Sequence, residues 1–84
     1  MKPEKKIKGI LSELSGEKRI KNSARPQEDL ALDSLSMVTL LIEIEEQLGI
    51  ELDEKDMNPF DLVTVSDAIR LAERYIGDKN EEVR

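Results

Sequence analysis

The 84-residue chain has no cysteine, no histidine and no tryptophan. Without Cys there is no disulfide and no thiolate metal site. Without His there is no Ser-His triad, no imidazole metal ligand and no proton transfer by histidine. The remaining acid–base groups are carboxylates, lysines and one tyrosine, which argues against an enzyme. Aromatics amount to Phe60 and Tyr75, too few for a base-stacking platform. No apolar run approaches transmembrane length. The lysines near the N-terminus are not followed by the apolar stretch of a signal peptide. These absences leave the expectation of a soluble, cytoplasmic, single domain with one small core. They point to no membrane insertion and no nucleic-acid partner.

Charge is abundant but unevenly placed. The net value is −6. Residues 1–25 hold eight bases and three acids, a net of +5, whereas residues 26–58 hold ten acids and only Lys55, a net of −9. Residues 59–84 are close to balanced at −2. A one-sided acidic block repels nucleic acid and attracts basic surfaces.

Apolar spacing is helical in three places, and strand-like alternation is sustained nowhere. Ile7, Ile10, Leu11 and Leu14 form one stripe, with Pro3 suited to a first helical turn and Gly16 to the stop. Residues 17–33 are polar and form a long connection. Ile20, Leu30 and Leu32 are its anchors into the core. A connection of that length in a small domain marks function or lack of structure.

A second helix is expected over about Ser34–Leu48, with Gly49 just past its end. Leu35, Val38, Leu41, Ile42 and Leu48 can share one face, which Met37, Leu40 and Ile44 widen. This helix is apolar over more than half its circumference, so part of the apolar surface should stay exposed. One short helical turn is expected in the acidic segment 51–56, which lacks the spacing of a calcium loop. Asn58-Pro59 interrupts it. Phe60, Leu62 and Val63 are expected to return to the core. Thr64-Val65-Ser66-Asp67 forms a capping box for a last helix. Val65, Ala68, Ile69, Ala72 and Ile76 make its buried stripe, Gly77 its stop, and residues 78–84 a frayed tail. The sum is an all-α fold: a small antiparallel bundle of three main helices and one short helix, with a long first loop. Residues 1–84 are one domain, with its core at about residues 3–77.

Asp33-Ser34-Leu35 stands where the acidic turn at the end of the long loop meets the second helix. Taken alone the triplet is an ordinary helix cap, since Asp and Ser both accept bonds from free backbone N–H groups there. Its setting is more specific. Leu41-Ile42-Glu43-Ile44-Glu45-Glu46-Gln47-Leu48-Gly49-Ile50 follows it, and Thr64-Val65-Ser66-Asp67-Ala68-Ile69 opens the last helix. With three segments in this order, residues 5–76 resemble the acyl carrier and peptidyl carrier protein superfamily.

The resemblance implies a 4′-phosphopantetheine arm, taken from coenzyme A by a phosphopantetheinyl transferase and joined to the Ser34 oxygen by a phosphodiester. Asp33 and Leu35 flank Ser34 in the attachment motif. The arm brings the thiol that the chain lacks and holds an acyl or aminoacyl group as a thioester. A helix N-terminus accommodates the phosphate. Met37, Leu41 and Val63 are candidates for contact with arm, cargo or partner, and core packing is an equally good account of each. Glu43, Glu45 and Glu46 are candidates for meeting basic surfaces of the transferase, of an acyl or aminoacyl ligase and of downstream synthases. No catalytic residue and no metal ligand is implied, and a monomer is expected.

The sequence also departs from the fatty-acid carriers of that superfamily. Acids two and five positions after the serine are replaced by Ser36 and Thr39, and a glycine two positions before it by Leu32. The first loop is basic, with Lys18, Arg19, Lys21 and Arg25. These departures imply a specialised, free-standing acyl carrier of fatty-acid, polyketide or other specialised lipid or secondary metabolism. Two alternatives stay open: an aminoacyl or peptidyl carrier, and an unmodified helical module that docks a partner helix on its second-helix face.

Overall fold

A computed structural model describes the backbone of residues 3–83 and the side chains of residues 3–76. Three α-helices follow one another: α1 (Pro3–Ser15), α2 (Ser34–Leu48) and α3 (Val65–Val83). Two single 3₁₀ turns, Glu54–Asp56 and Pro59–Asp61, lie between α2 and α3. The first is the expected short turn. The second begins at the predicted interruption, because Pro59 presets its own φ and the Asn58 side chain caps the Phe60 N–H at 3.0 Å. The described residues contain no strand.

Helix ends follow their local chemistry. Gly16 (φ 80°) and Gly49 (φ 66°) adopt the left-handed conformation that stops a helix. At the end of α2, Gly49 N–H and Ile50 N–H both donate to the Glu45 carbonyl. At the start of α3 the capping box forms. Asp67 N–H donates to Thr64 Oγ1 at 3.3 Å, and the Asp67 carboxylate accepts from Thr64 N–H at 3.0 Å and Val63 N–H at 3.1 Å. Those backbone bonds hold the Asp67 carboxyl below the usual carboxylate range, helped by the Arg70 guanidinium. Gly77 does not end α3, which continues to Val83. A single glycine in a helix interior costs only about 1 kcal/mol against alanine, and no proline follows it. Arg84, the end of the expected tail, lies outside the described residues.

Hydrogen bonds between elements set the helix directions. Lys6 Nζ donates to the Gln47 carbonyl at 3.2 Å, joining the start of α1 to the end of α2. Asp53 N–H, just past α2, donates to the Tyr75 hydroxyl, about three turns into α3, at 2.9 Å. So α3 runs with α2, and α1 runs against both. The core is a single cluster built from all three helices and both connections. The expected loop anchors Ile20, Leu30 and Leu32 are buried, as is Pro26. The loop is pinned by its own backbone, with the Asn22 and Ala24 carbonyls each accepting at 2.9 Å from Ser66 and Val65 N–H at the α3 start. A long irregular segment therefore satisfies N–H groups that a helix leaves open. Among the described residues no helix is long and apolar enough to cross a membrane.

The buried face of α2 differs from the predicted one. Met37, Leu40, Leu41 and Ile44 are fully buried, the i, i+3, i+4, i+7 set. Leu35, Val38 and Ile42 face out, Leu35 being 76% exposed. Leu48 is half-buried against the core. Of the three residues expected to return after Pro59, only Leu62 is buried; Phe60 and Val63 are 67% and 58% exposed. The stripe of α3 is as predicted with Leu71 added, while Ile76 is half-buried.

Candidate functional site

Ser34 is the first residue of α2 and is exposed. It is not the cap. Asp33 takes that role in extended backbone (φ −83°, ψ 179°), and its Oδ1 accepts the Ser36 N–H at 2.8 Å. Bonding to Ser36 keeps the Asp33 carboxyl below the usual carboxylate range. The Asp-Ser pair thus divides the work, one residue capping the helix and the other leaving its hydroxyl open to solvent.

The helix end is also partly unsatisfied. Ser36 N–H goes to the Asp33 side chain and Met37 N–H to the Asp33 carbonyl at 2.9 Å. The N–H groups of Ser34 and Leu35 have no hydrogen-bond partner within the described residues. An exposed hydroxyl beside two open N–H donors on a helix N-terminus fits a phosphodiester on Ser34 Oγ. A phosphopantetheine there would supply a mobile thiol, which no residue of the chain provides. The protein's part is to hold the hydroxyl outward and the helix end open.

The other predicted contacts separate into three groups. Met37 and Leu41 have no exposed surface. They pack the core, one of the two accounts the sequence left open for them, and present no surface to a partner in the closed bundle. Glu45 is half-buried, and its Oε2 accepts the Leu52 N–H at 2.8 Å. It secures the chain leaving α2, which limits its use in docking. Glu46 is exposed, Glu43 is partly exposed and accepts from the Gln47 side chain at 3.1 Å, and Val63 is exposed. Val38 and Ile42, not among the predicted contacts, join Leu35 as an exposed apolar row leading away from Ser34. The signal for them was present as the excess apolar width of α2. Phe60 lies within, and Val63 just after, the Pro59–Asp61 turn that packs against α2.

A second polar cluster lies towards the opposite end. The Tyr75 hydroxyl accepts from Asp53 N–H and donates to the Asp56 carboxylate, which also meets the Arg74 guanidinium at 3.2 Å. The Tyr75 bond is the main reason that Asp56 titrates below the usual carboxylate range. Burial, then the Asp56 contact, pushes the Tyr75 hydroxyl up. Nothing in the sequence pattern marks this cluster.

Comparison with known proteins agrees with this geometry. A family model described as a phosphopantetheine attachment site matches residues 5–72. An acyl carrier protein of Buchnera aphidicola is 40% identical over 81 residues, covering 94% of this chain and 95% of that protein. One from Nitratidesulfovibrio vulgaris is 35% identical over 81 residues, covering 94% and 99% respectively. One from Thermotoga maritima is 32% identical over 74 residues, covering 86% and 89%. A match that spans the helical core from α1 into α3, with relatives of 32–40% identity over most of both chains, places this protein in the acyl carrier protein family, non-enzymatic carriers with phosphopantetheine as cofactor.

Proposed function

We propose that Ser34 bears the phosphopantetheine arm and that the chain carries an acyl intermediate on it as a thioester. The residues form one carrier domain working as a monomer in the cytoplasm. It passes its cargo between enzymes of fatty-acid, polyketide or other specialised lipid or secondary metabolism. The single observation that carries this reading is the division of labour at 33–34: Asp33 caps α2 and leaves the Ser34 hydroxyl exposed.

The docking face in this reading is the row Leu35, Val38 and Ile42 with Val63 beside it, flanked by Glu43 and Glu46. The apolar row supplies area to be covered, and the acids set encounter rate and partner choice. Ser36 and Thr39 leave the first turns of α2 without acids, so partners that rely on charge there should handle this carrier poorly.

The test is intact mass after incubation with coenzyme A, magnesium and a broad-specificity phosphopantetheinyl transferase. Addition of one phosphopantetheine to the wild type and none to a folded Ser34→Ala variant is the expected result. Loading of the variant would move the attachment site elsewhere. No loading of the folded wild type by several transferases would favour the unmodified interaction module.

A further inference from the structure

The first loop carries cations that the fold does not use. Lys18, Arg19 and Lys21 are exposed, and their side chains make no hydrogen bond or ion pair within the described residues; only the Lys21 carbonyl is engaged, accepting from Ala24 N–H at 3.1 Å. They straddle Ile20, whose side chain is buried and fixes the segment. The loop is held by backbone instead, through the Asn22 and Ala24 carbonyls on the α3 start. Acids close by are mostly engaged. Glu28 pairs with the Arg25 guanidinium at 3.0 Å, and the Asp29 carboxylate accepts Arg25 N–H at 2.9 Å. Glu17 is the only acid in residues 16–25.

The loop also lies at a particular end of the molecule. It leaves the end of α1, crosses the start of α3 and enters the start of α2. With α1 antiparallel to α2 and α3, all three of those points lie at the Ser34 end. Glu43 and Glu46 lie further along α2, about two and a half and a little over three turns from Ser34. A protein that reaches Ser34 and also extends along α2 meets the basic loop near one end and the acids Glu43 and Glu46 near the other.

We propose that Lys18, Arg19 and Lys21 form a second docking surface, one that takes an acidic patch on a partner protein whose neighbouring surface is basic. The inference rests on Ser34 being the point partners approach. An extended polyanion suits the site poorly. A nucleic acid or anionic membrane that attracted the loop would be repelled by the segment 26–58 at net −9. The chain also offers no aromatic platform beside the loop for stacking bases. A folded protein can present acid opposite the loop and base opposite α2, so it alone complements both.

The test uses the ¹⁵N-labelled full chain as its Ser34→Ala variant, so that binding is measured apart from any arm loading. An oligoglutamate peptide is titrated, then a single-stranded oligonucleotide, then phosphatidylglycerol vesicles. The expected result is that the peptide shifts amides of residues 17–25, that added salt weakens it, and that Lys18→Glu/Arg19→Glu/Lys21→Glu weakens it on the order of tenfold or more. A folded triple variant that binds the peptide as well as its parent would overturn the proposal. So would a peptide that leaves those amides unmoved, or tighter binding to the oligonucleotide or the vesicles.

Discussion

Helix α2 carries two apolar rows of similar composition and opposite fate. Met37, Leu40, Leu41 and Ile44 have no exposed surface, whereas Leu35, Val38 and Ile42 are open to solvent. Hydrophobicity does not distinguish them; their angular position against α1 and the shared core does. A carrier must stay folded alone and still offer apolar area to successive partners. Placing both rows on one helix, with Ser34 at its head, meets the two needs with the same few turns. The cost is an exposed apolar strip, of the kind that marks an interaction site on a small protein.

This contrast yields graded predictions. The largest effect belongs to the inner row. Leu41→Ala leaves a cavity among close-packed side chains and should cost about 2–5 kcal/mol. Chemical denaturation measures it, and a loss below about 1 kcal/mol would mean the inner row is not the core.

Next come the polar ties at the start and middle of α3. Thr64→Ala removes half of the capping box, and Tyr75→Phe removes the hydroxyl that holds Asp53 and Asp56. Each should cost about 1 kcal/mol in the same assay. For Tyr75→Phe, faster amide exchange should be confined to residues near 53–56, with the Ser34 end unchanged.

Acid should act through the same ties. Asp56 and Asp67 both titrate lower in the folded chain than the ordinary value of about 3.9. Their contribution is therefore fully present above that value and is lost as pH falls through the lower folded values. Denaturation midpoints should hold from about pH 7 to pH 5 and then drop. Asp56→Asn with Asp67→Asn should flatten the drop; an unchanged slope would place acid sensitivity elsewhere.

The smallest stability change belongs to the outer row. Leu35→Ala and Ile42→Ala should alter stability by no more than about 0.5 kcal/mol. Both should slow turnover by an enzyme that uses the loaded carrier. A stability loss comparable to Leu41→Ala would erase the distinction between the rows.

Much of the architecture was legible in the residues. The stripe of α1, Gly16 and Gly49 as stops, the Thr64–Asp67 box and the loop anchors Ile20, Leu30 and Leu32 each depend on chemistry within a few positions. What was not legible depends on neighbours remote in sequence. Eight apolar positions on α2 cannot say which row faces α1 and the shared core. Phe60 reads as a core residue until Pro59 and Asn58 turn the chain so that it points out. Tyr75 gives no sign of reaching back to Asp53, 22 residues away. Gly77 resembles Gly49 on paper, but a glycine stops a helix only where the chain turns left-handed. At the proposed attachment site the Asp33-Ser34-Leu35 motif could be read directly from the residues. The assignment of the cap to Asp33, which frees Ser34, needed the backbone geometry.

The central claim is that the arm sits on Ser34 and nowhere else. Peptide mapping by fragmentation mass spectrometry, applied to wild-type protein after loading from coenzyme A, tests it most directly. The account predicts one phosphopantetheine, on the peptide containing Ser34 and localised to that residue. Modification on another serine, such as Ser36 two positions along the same exposed turn, would contradict it.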